Sequence, residues 1–193
     1  MRFVNRRTLI ATALLMALIA GFVVWALPGY VPQTLGNAVR HADAILLYEG
    51  LPHQLYEEDL LANELRTKPT REFGGYSFYK DHLSLKAIDA ARLVDLLEDS
   101  TAWKAIPPDS PTKPCGGFHP DYAVELQRGT ARWYVLICFG CGEATIISPW
   151  RETTYDLDRD WKRQVHTLLL AYRQNRPRSE HRTAVDQNIE EGW

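Results

Sequence analysis

The three cysteines of this chain fall in two short segments that carry its most distinctive chemistry. Cys138 and Cys141 belong to the run Cys-Phe-Gly-Cys-Gly, and Cys115 lies upstream with His119 close behind it. Three thiols and an imidazole are donors that a tetrahedral zinc centre prefers. Two thiols separated by two residues are also the pair that thiol–disulfide oxidoreductases use. These four residues are the candidate site, and structural zinc is the candidate cofactor.

The elements around the cysteines can bring the two segments together. Residues 122–126 and 133–138 have strand character and flank a turn at 128–130, which predicts a β-hairpin. Because a hairpin with equal arms places its two ends side by side, ligands before the first strand can meet ligands after the second. Gly142 permits the positive φ that a metal-binding turn needs after its second cysteine. The spacing therefore permits a four-ligand site.

Two alternatives to zinc follow from the same thiols. In thioredoxin-like enzymes the first cysteine begins a helix that stabilises its thiolate, whereas the residues after Cys141 favour a strand and stop at Pro149. This disfavours an oxidoreductase that uses Cys138 and Cys141. A structural disulfide from Cys115 to Cys138 or to Cys141 is the other alternative. The sequence leaves the disulfide and the metal site open.

The histidines allow a structural role as well as a chemical one. His119 either ligates a metal, with Asp121 or Glu143 fixing its tautomer, or orients the loop that contains it. The remaining candidates, His53, His82 and His166, are isolated in sequence and are expected on the surface or on helix faces. A metal-dependent enzyme would also need an open coordination position, which four protein ligands do not leave.

The N-terminus predicts a membrane anchor. Residues 8–27 form an apolar run without a charge, long enough to cross about 30 Å of hydrocarbon as a helix. The basic flank at 1–7 should remain in the cytoplasm under the positive-inside rule. A cleaved signal peptide is the alternative, with a cleavage site at 24–26. Both place the main domain outside the cytoplasm, which means the periplasm in a Gram-negative cell.

Length and composition predict one folded domain with appendages. The chain has 193 residues, of which 46% are hydrophobic. Residues 28–41 are rich in proline and glycine and are expected to form a stalk. Residues 42–177 should be the domain, and the charged segment 178–193 is expected to be a disordered tail. A net charge of -2, without a basic stripe, argues against a nucleic-acid partner.

The pattern of elements predicts an α+β domain with a small antiparallel sheet and flanking helices, preceded by the one transmembrane helix. The predicted strands cover 43–48, 72–80, 122–126, 133–138 and 144–148, and a turn at Gly74 can interrupt the second. The predicted helices cover 55–66, 84–98 with Ser84 as its cap, and 157–172.

Three segments carry a resemblance to a family. The ADAILLYEGLPH run from Ala42, the CGGFHPDYAVEL run from Cys115 and the LICFGC run that ends at Cys141 resemble an uncharacterised family of bacterial membrane-associated or exported proteins. The similarity spans about residues 42–177, and all three cysteine positions match. The resemblance implies a shared fold and a shared cysteine site, and it implies no activity.

Together these features predict a membrane-anchored binding or scaffolding domain at the cell envelope, with an envelope protein as a candidate partner. No serine-hydrolase, zinc-protease or paired-carboxylate motif occurs in the sequence. The alternative function is an enzyme, either the oxidoreductase or the metal-dependent enzyme described above. The sequence does not determine the oligomeric state.

Overall fold

The structure is a computed structural model that describes residues 14–16, 30–107, 109–111, 113 and 115–191. The predicted cytoplasmic flank at 1–7 lies outside these residues, and so does the predicted transmembrane segment at 8–27 apart from 14–16. Among the residues described, no helix is both long enough and apolar enough to cross a bilayer.

The fold is the predicted mixture of helices and antiparallel strands. Six strands form one antiparallel sheet in the order β1-β5-β6-β7-β8-β4, and β2 pairs with β3 in a separate hairpin. The strands are β1 Ala44–Glu49, β2 Thr70–Phe73, β3 Tyr76–Tyr79, β4 Trp103–Ala105, β5 Tyr122–Arg128, β6 Ala131–Cys138, β7 Glu143–Ser148 and β8 Arg151–Leu157.

Five α-helices flank the sheet in the described part of the chain, and they are α1 Tyr30–Arg40, α2 Glu58–Thr67, α3 Ala87–Glu98, α4 Arg159–Leu170 and α5 Glu180–Glu190. A short 3₁₀ helix covers Ser100–Ala102. Side-chain caps fix where two of the α-helices begin. Asp158 accepts hydrogen bonds from the backbone N–H groups of Asp160 and Trp161 at the start of α4. Ser179 accepts one from Arg182 at the start of α5.

The two faces of the sheet are covered by different elements. The main hydrophobic core lies between one face and helices α1, α3, α4 and α5, with Val124, Val135 and Ile146 completely buried on the strands. Leu136, Tyr48 and Ala123 face the other way and pack with Phe73 and Phe78 of the β2–β3 hairpin. Strand alternation sends neighbouring side chains to opposite faces, so both faces of the central strands are apolar.

Two expectations about the ends of the domain were wrong. The segment at 28–41, expected to be a stalk, contains α1, whose Leu35 and Val39 are buried in the main core. The segment at 178–193, expected to be disordered, contains α5, whose Arg182 and Ile189 are buried. In both cases a few well-placed buried residues anchor a helix whose overall composition is polar or rich in glycine and proline.

Most predicted elements inside the domain are confirmed within a few residues. The turn at Gly74 and Gly75 divides the predicted strand at 72–80 into β2 and β3, and both glycines have positive φ. Ser84 does not cap α3, because that helix begins after Lys86. Strands β4 and β8 were not predicted. They are polar on one side, and β4 has only three residues.

Candidate functional site

A cavity of about 490 Å³ lies where the ends of several elements meet. Its walls come from residues 53–56 after β1, 115–121 before β5, 138–141 at the end of β6 and 176–188 around α5, with Lys113 and Lys162 added. This volume is within the range of small-molecule sites in proteins. Residues far apart in sequence thus converge on one concave surface.

The disulfide Cys115–Cys141 forms part of the cavity wall. The Cα atoms of the two cysteines are 5.4 Å apart. This is one of the two pairings predicted as alternatives to zinc, and it joins the loop before β5 to the turn after β6. Because both sulfurs are bonded, neither is the thiolate that zinc requires. The part of the chain described here holds no group of three His, Cys, Asp or Glu side chains arranged for a metal ion.

Cys138 is the free cysteine of the site, and it is buried. Its Sγ accepts a hydrogen bond from the backbone N–H of Cys141 at 3.3 Å, and the turn closes through Gly142 with a φ of 65°. This bond and the positive φ of Gly142 describe a tight turn between β6 and β7. Burial raises the pKa of the Cys138 thiol to about 12, and Asp121 adds to this effect. An attacking thiolate needs the opposite shift, so the burial of Cys138 does not favour the oxidoreductase.

His119 lies in the cavity wall but interacts away from the cysteines. Its Nε2 is 3.1 Å from the carbonyl oxygen of Pro52, and its ring centre is 4.6 Å from that of His53. Burial lowers the pKa of His119 to about 4. The imidazole is thus neutral at pH 7. Its contact with Pro52 orients the loop, which is the structural role that the sequence left open beside metal ligation. Neither Asp121 nor Glu143 is hydrogen-bonded to its ring in the described contacts.

A row of flat rings continues from His119 along the cavity. The ring of His53 lies 4.8 Å from that of Tyr56 and 5.2 Å from that of His181, and Tyr56 stacks on His181 at 4.6 Å. Burial lowers the pKa values of both His53 and His181. The backbone N–H of Leu55 donates to Nδ1 of His53, which places the remaining proton of the neutral ring on Nε2.

The expectation for His53 was therefore wrong, because its side chain is buried against the cavity and does not lie isolated on the surface. His166 lies on a helix, α4, as expected, but it is buried and hydrogen-bonded to Asp186. His82 is exposed.

A buried network of charges supports the cavity. Asp121 accepts hydrogen bonds at Oδ1 from Nη1 of Arg176 at 2.9 Å and from Nη1 of Arg182 at 2.7 Å. Its Oδ2 accepts from the backbone N–H of Phe139 at 2.7 Å. Although burial opposes ionisation, Arg182 and Arg176 hold the pKa of Asp121 below its usual range. Asp121 is thus an ionised carboxylate inside the protein.

The network extends from Arg176 to Glu57. Nη2 of Arg176 donates to Oε2 of Glu57, and the Ser179 hydroxyl donates to Oε1. The backbone N–H of His53 also donates to Oε2 at 2.6 Å. Burial raises the pKa of Glu57, but the charge of Arg176 and these hydrogen bonds outweigh it and lower the pKa overall. Because Glu57 contacts residues before α2 and before α5, it fixes two walls of the cavity relative to each other.

Lys113 holds the disulfide loop against the sheet. Its Nζ donates to the carbonyl oxygen of Cys141 at 2.9 Å and pairs with Glu143 at 3.1 Å and with Asp156. Lys162 lines the same side of the cavity, and its pKa is lowered first by burial and then by Lys113 and Arg159. Glu143 thus pairs with Lys113 and not with a histidine.

Sequence reasoning missed most of the cavity. Arg182 and His181 lie in the segment expected to be disordered, and Arg176 lies at the end of the predicted domain. None of them belongs to a recognisable motif. The feature that distinguishes these residues is their burial as charged groups. Burial depends on the packing of α5 against the sheet, and the sequence alone does not show it.

Comparisons with family models, with curated proteins and with solved structures found no match to this chain. The resemblance to an exported bacterial family therefore stays a prediction.

Proposed function

We propose that this protein is a small-molecule-binding domain held outside the cytoplasm by residues 8–27, and that the cavity beside the Cys115–Cys141 disulfide is its ligand site. The observation that carries the proposal is the concentration of buried ionisable groups around one cavity. Asp121, Arg176 and Arg182 are each at most 5% exposed.

Buried charges are an inefficient way to stabilise a fold, since well-packed apolar residues in their place are often as stable. Their concentration at a concave surface is typical of functional sites. Arg176 and Arg182 are held in place by their hydrogen bonds to Asp121, and the disulfide limits movement of the cavity wall. Such an arrangement favours a preformed pocket, which binds with a smaller loss of conformational entropy.

The disulfide also supports the proposed location, because structural disulfides persist mainly in oxidising compartments. A reporter active only outside the cytoplasm, such as alkaline phosphatase, can be fused after residue 193. We expect activity from the full chain and none when residues 1–27 are removed. Equal activity of the two fusions would exclude the proposed role of the N-terminal segment.

The binding function is tested by screening a small-molecule library for thermal stabilisation of the full-length protein in detergent. Val185 lines the cavity, so the larger side chain in Val185→Trp should fill part of it. The matched control is Ile88→Trp, at a position on α3 that is 76% exposed. Ligands of the cavity should stabilise the wild type and Ile88→Trp but not Val185→Trp. If every stabilising compound acts equally on all three proteins, the cavity is not the ligand site.

A further inference from the structure

Two side chains in the cavity wall keep buried donor atoms without partners. Nε and Nη2 of Arg182 have no hydrogen-bond partner among the described residues, and neither has Nε of Arg176. Arg182 is 3% exposed and Arg176 is 5% exposed. Buried donors are rarely left unpaired, and Arg182 is the residue of the cavity wall that has two of them.

The free donors of Arg182 have a defined geometry. Its Nη1 is occupied by Asp121, which holds the guanidinium in place. Nε and Nη2 lie on a single edge of the planar group, where their N–H bonds are almost parallel. Two parallel donors in one plane match the two oxygens of a carboxylate, which can accept both bonds at once.

The charges in the cavity wall favour an anion. Asp121 is the one carboxylate among the residues that line the cavity. The cationic residues in the lining are four in number, namely Lys113, Lys162, Arg176 and Arg182. The other carboxylates that pair with Lys113 and Arg176, namely Glu57, Glu143 and Asp156, do not line it. The wall of the cavity thus contains more cationic residues than carboxylates.

The remainder of the wall is suited to an organic body. The rings of Tyr56 and His181 are stacked, and Ala184 and Val185 add aliphatic surface from α5. The low pKa values of His53, His119 and His181 keep these rings uncharged at pH 7. A flat apolar group can pack against such a surface.

We propose that the cavity binds a small organic carboxylate, whose two oxygens accept hydrogen bonds from the Nε–Nη2 edge of Arg182 while its apolar body packs against Tyr56 and His181. This inference rests on the proposed binding function, and it adds the chemical class of the ligand.

The test is calorimetric titration of the full-length protein in detergent with benzoate and phenylacetate. Benzamide and phenylacetamide serve as uncharged analogues of similar shape, and inorganic phosphate serves as an anion without an organic body. We expect each carboxylate to bind at least about tenfold more tightly than its amide, and more tightly than phosphate. An amide that binds as well as its acid would overturn the inference, and so would phosphate that binds as well as benzoate.

The variant Arg182→Lys keeps the charge and can still pair with Asp121, but it removes the planar two-donor edge. We expect it to weaken carboxylate binding at least about tenfold. Arg163→Lys is the control, because Arg163 is an exposed residue of α4 that pairs with Asp160. If Arg182→Lys does not fold, the comparison of acids with amides on the wild type still decides the question.

The two proposals can fail separately. If a neutral compound stabilises the wild type but not Val185→Trp, while no carboxylate binds, the cavity is a binding site and the inference about Arg182 is wrong. If nothing distinguishes the wild type from Val185→Trp, the binding function itself is wrong.

Discussion

Arg182 donates from Nη1 to Oδ1 of Asp121 over 2.7 Å, and this bond attaches the last helix to the residue just before β5. Both residues are at least 95% buried. The polar C-terminal segment is therefore part of the folded domain, and its removal should affect the cavity as well as stability.

We expect Asp121→Asn to destabilise the protein by about 3–5 kcal/mol, because it leaves Arg176 and Arg182 buried without their shared negative charge. Urea unfolding followed by circular dichroism measures the change. The control is Asp160→Asn, which removes an exposed pair with Arg163 and should cost less than about 1 kcal/mol. Equal effects of the two substitutions would contradict the proposed role of Asp121.

Loss of the disulfide should reduce the free energy of unfolding by about 3.5 kcal/mol, the value that loop-closure entropy gives for its separation of 26 residues. Cys115→Ser and Cys141→Ser should each show this loss, whereas Cys138→Ser should keep the bridge. Peptide mapping without reduction identifies the bridge. A bridge that contains Cys138, or zinc that copurifies with all three thiols, would show that the assigned pairing is wrong.

Cys138 should resist alkylation in the native protein. Its thiol is buried and its pKa is raised to about 12, so at pH 8 very little thiolate is present to react. Mass spectrometry after treatment with iodoacetamide should find no modification under native conditions and one alkylated thiol per chain in urea. Rapid alkylation of native Cys138 would restore the oxidoreductase as a candidate function.

Stability should fall as the pH is lowered from 6.5 to 4. Burial lowers the pKa of His119 to about 4, whereas an unfolded histidine titrates near 6.5. The unfolded chain therefore binds more protons in this interval, and His119 alone removes about 3 kcal/mol across it. His53 and His181 act in the same direction.

Urea midpoints between pH 7 and pH 4.5 measure this dependence. His119→Gln should reduce the slope, while His41→Gln, at an exposed position, should leave it unchanged. The carboxylates affect stability at lower pH than the histidines do. The pKa of Asp121 is lowered in the folded state, so the stability it contributes is present above its unfolded pKa near 3.9 and is lost as the pH falls further. A slope that is the same in both variants and the wild type would contradict the role of His119.

The central hairpin could be predicted because its information is local. Strands β5 and β6 combine apolar residues with a turn at Gly129, and the cysteines at the ends of the hairpin were correctly expected to approach each other. The choice between Cys138 and Cys141 as the partner of Cys115 depends on which sulfur faces the loop. One residue more or less in the turn changes that orientation, so spacing alone left both pairings open.

The cavity could not be predicted, because its residues are specified by long-range packing. His53 and Arg182 are 129 positions apart by their numbers, and each is unremarkable in its own segment. The apolar residues that fix α1 and α5 are few, so composition favoured a stalk and a tail. Burial of Leu35 and Ile189 decides the fold of these segments, and burial is a property of the assembled domain.

The place of β1 in the sheet has a consequence for the order of folding. Strand β1 pairs with β5, which is synthesised more than seventy residues later. The carboxylate of Glu49 at the end of β1 is completely buried and accepts hydrogen bonds from the backbone N–H groups of Gln174, Asn175 and Arg176. Because these partners lie at least 125 residues after Glu49, its carboxylate stays unpaired until that later segment has been synthesised and has packed against β1.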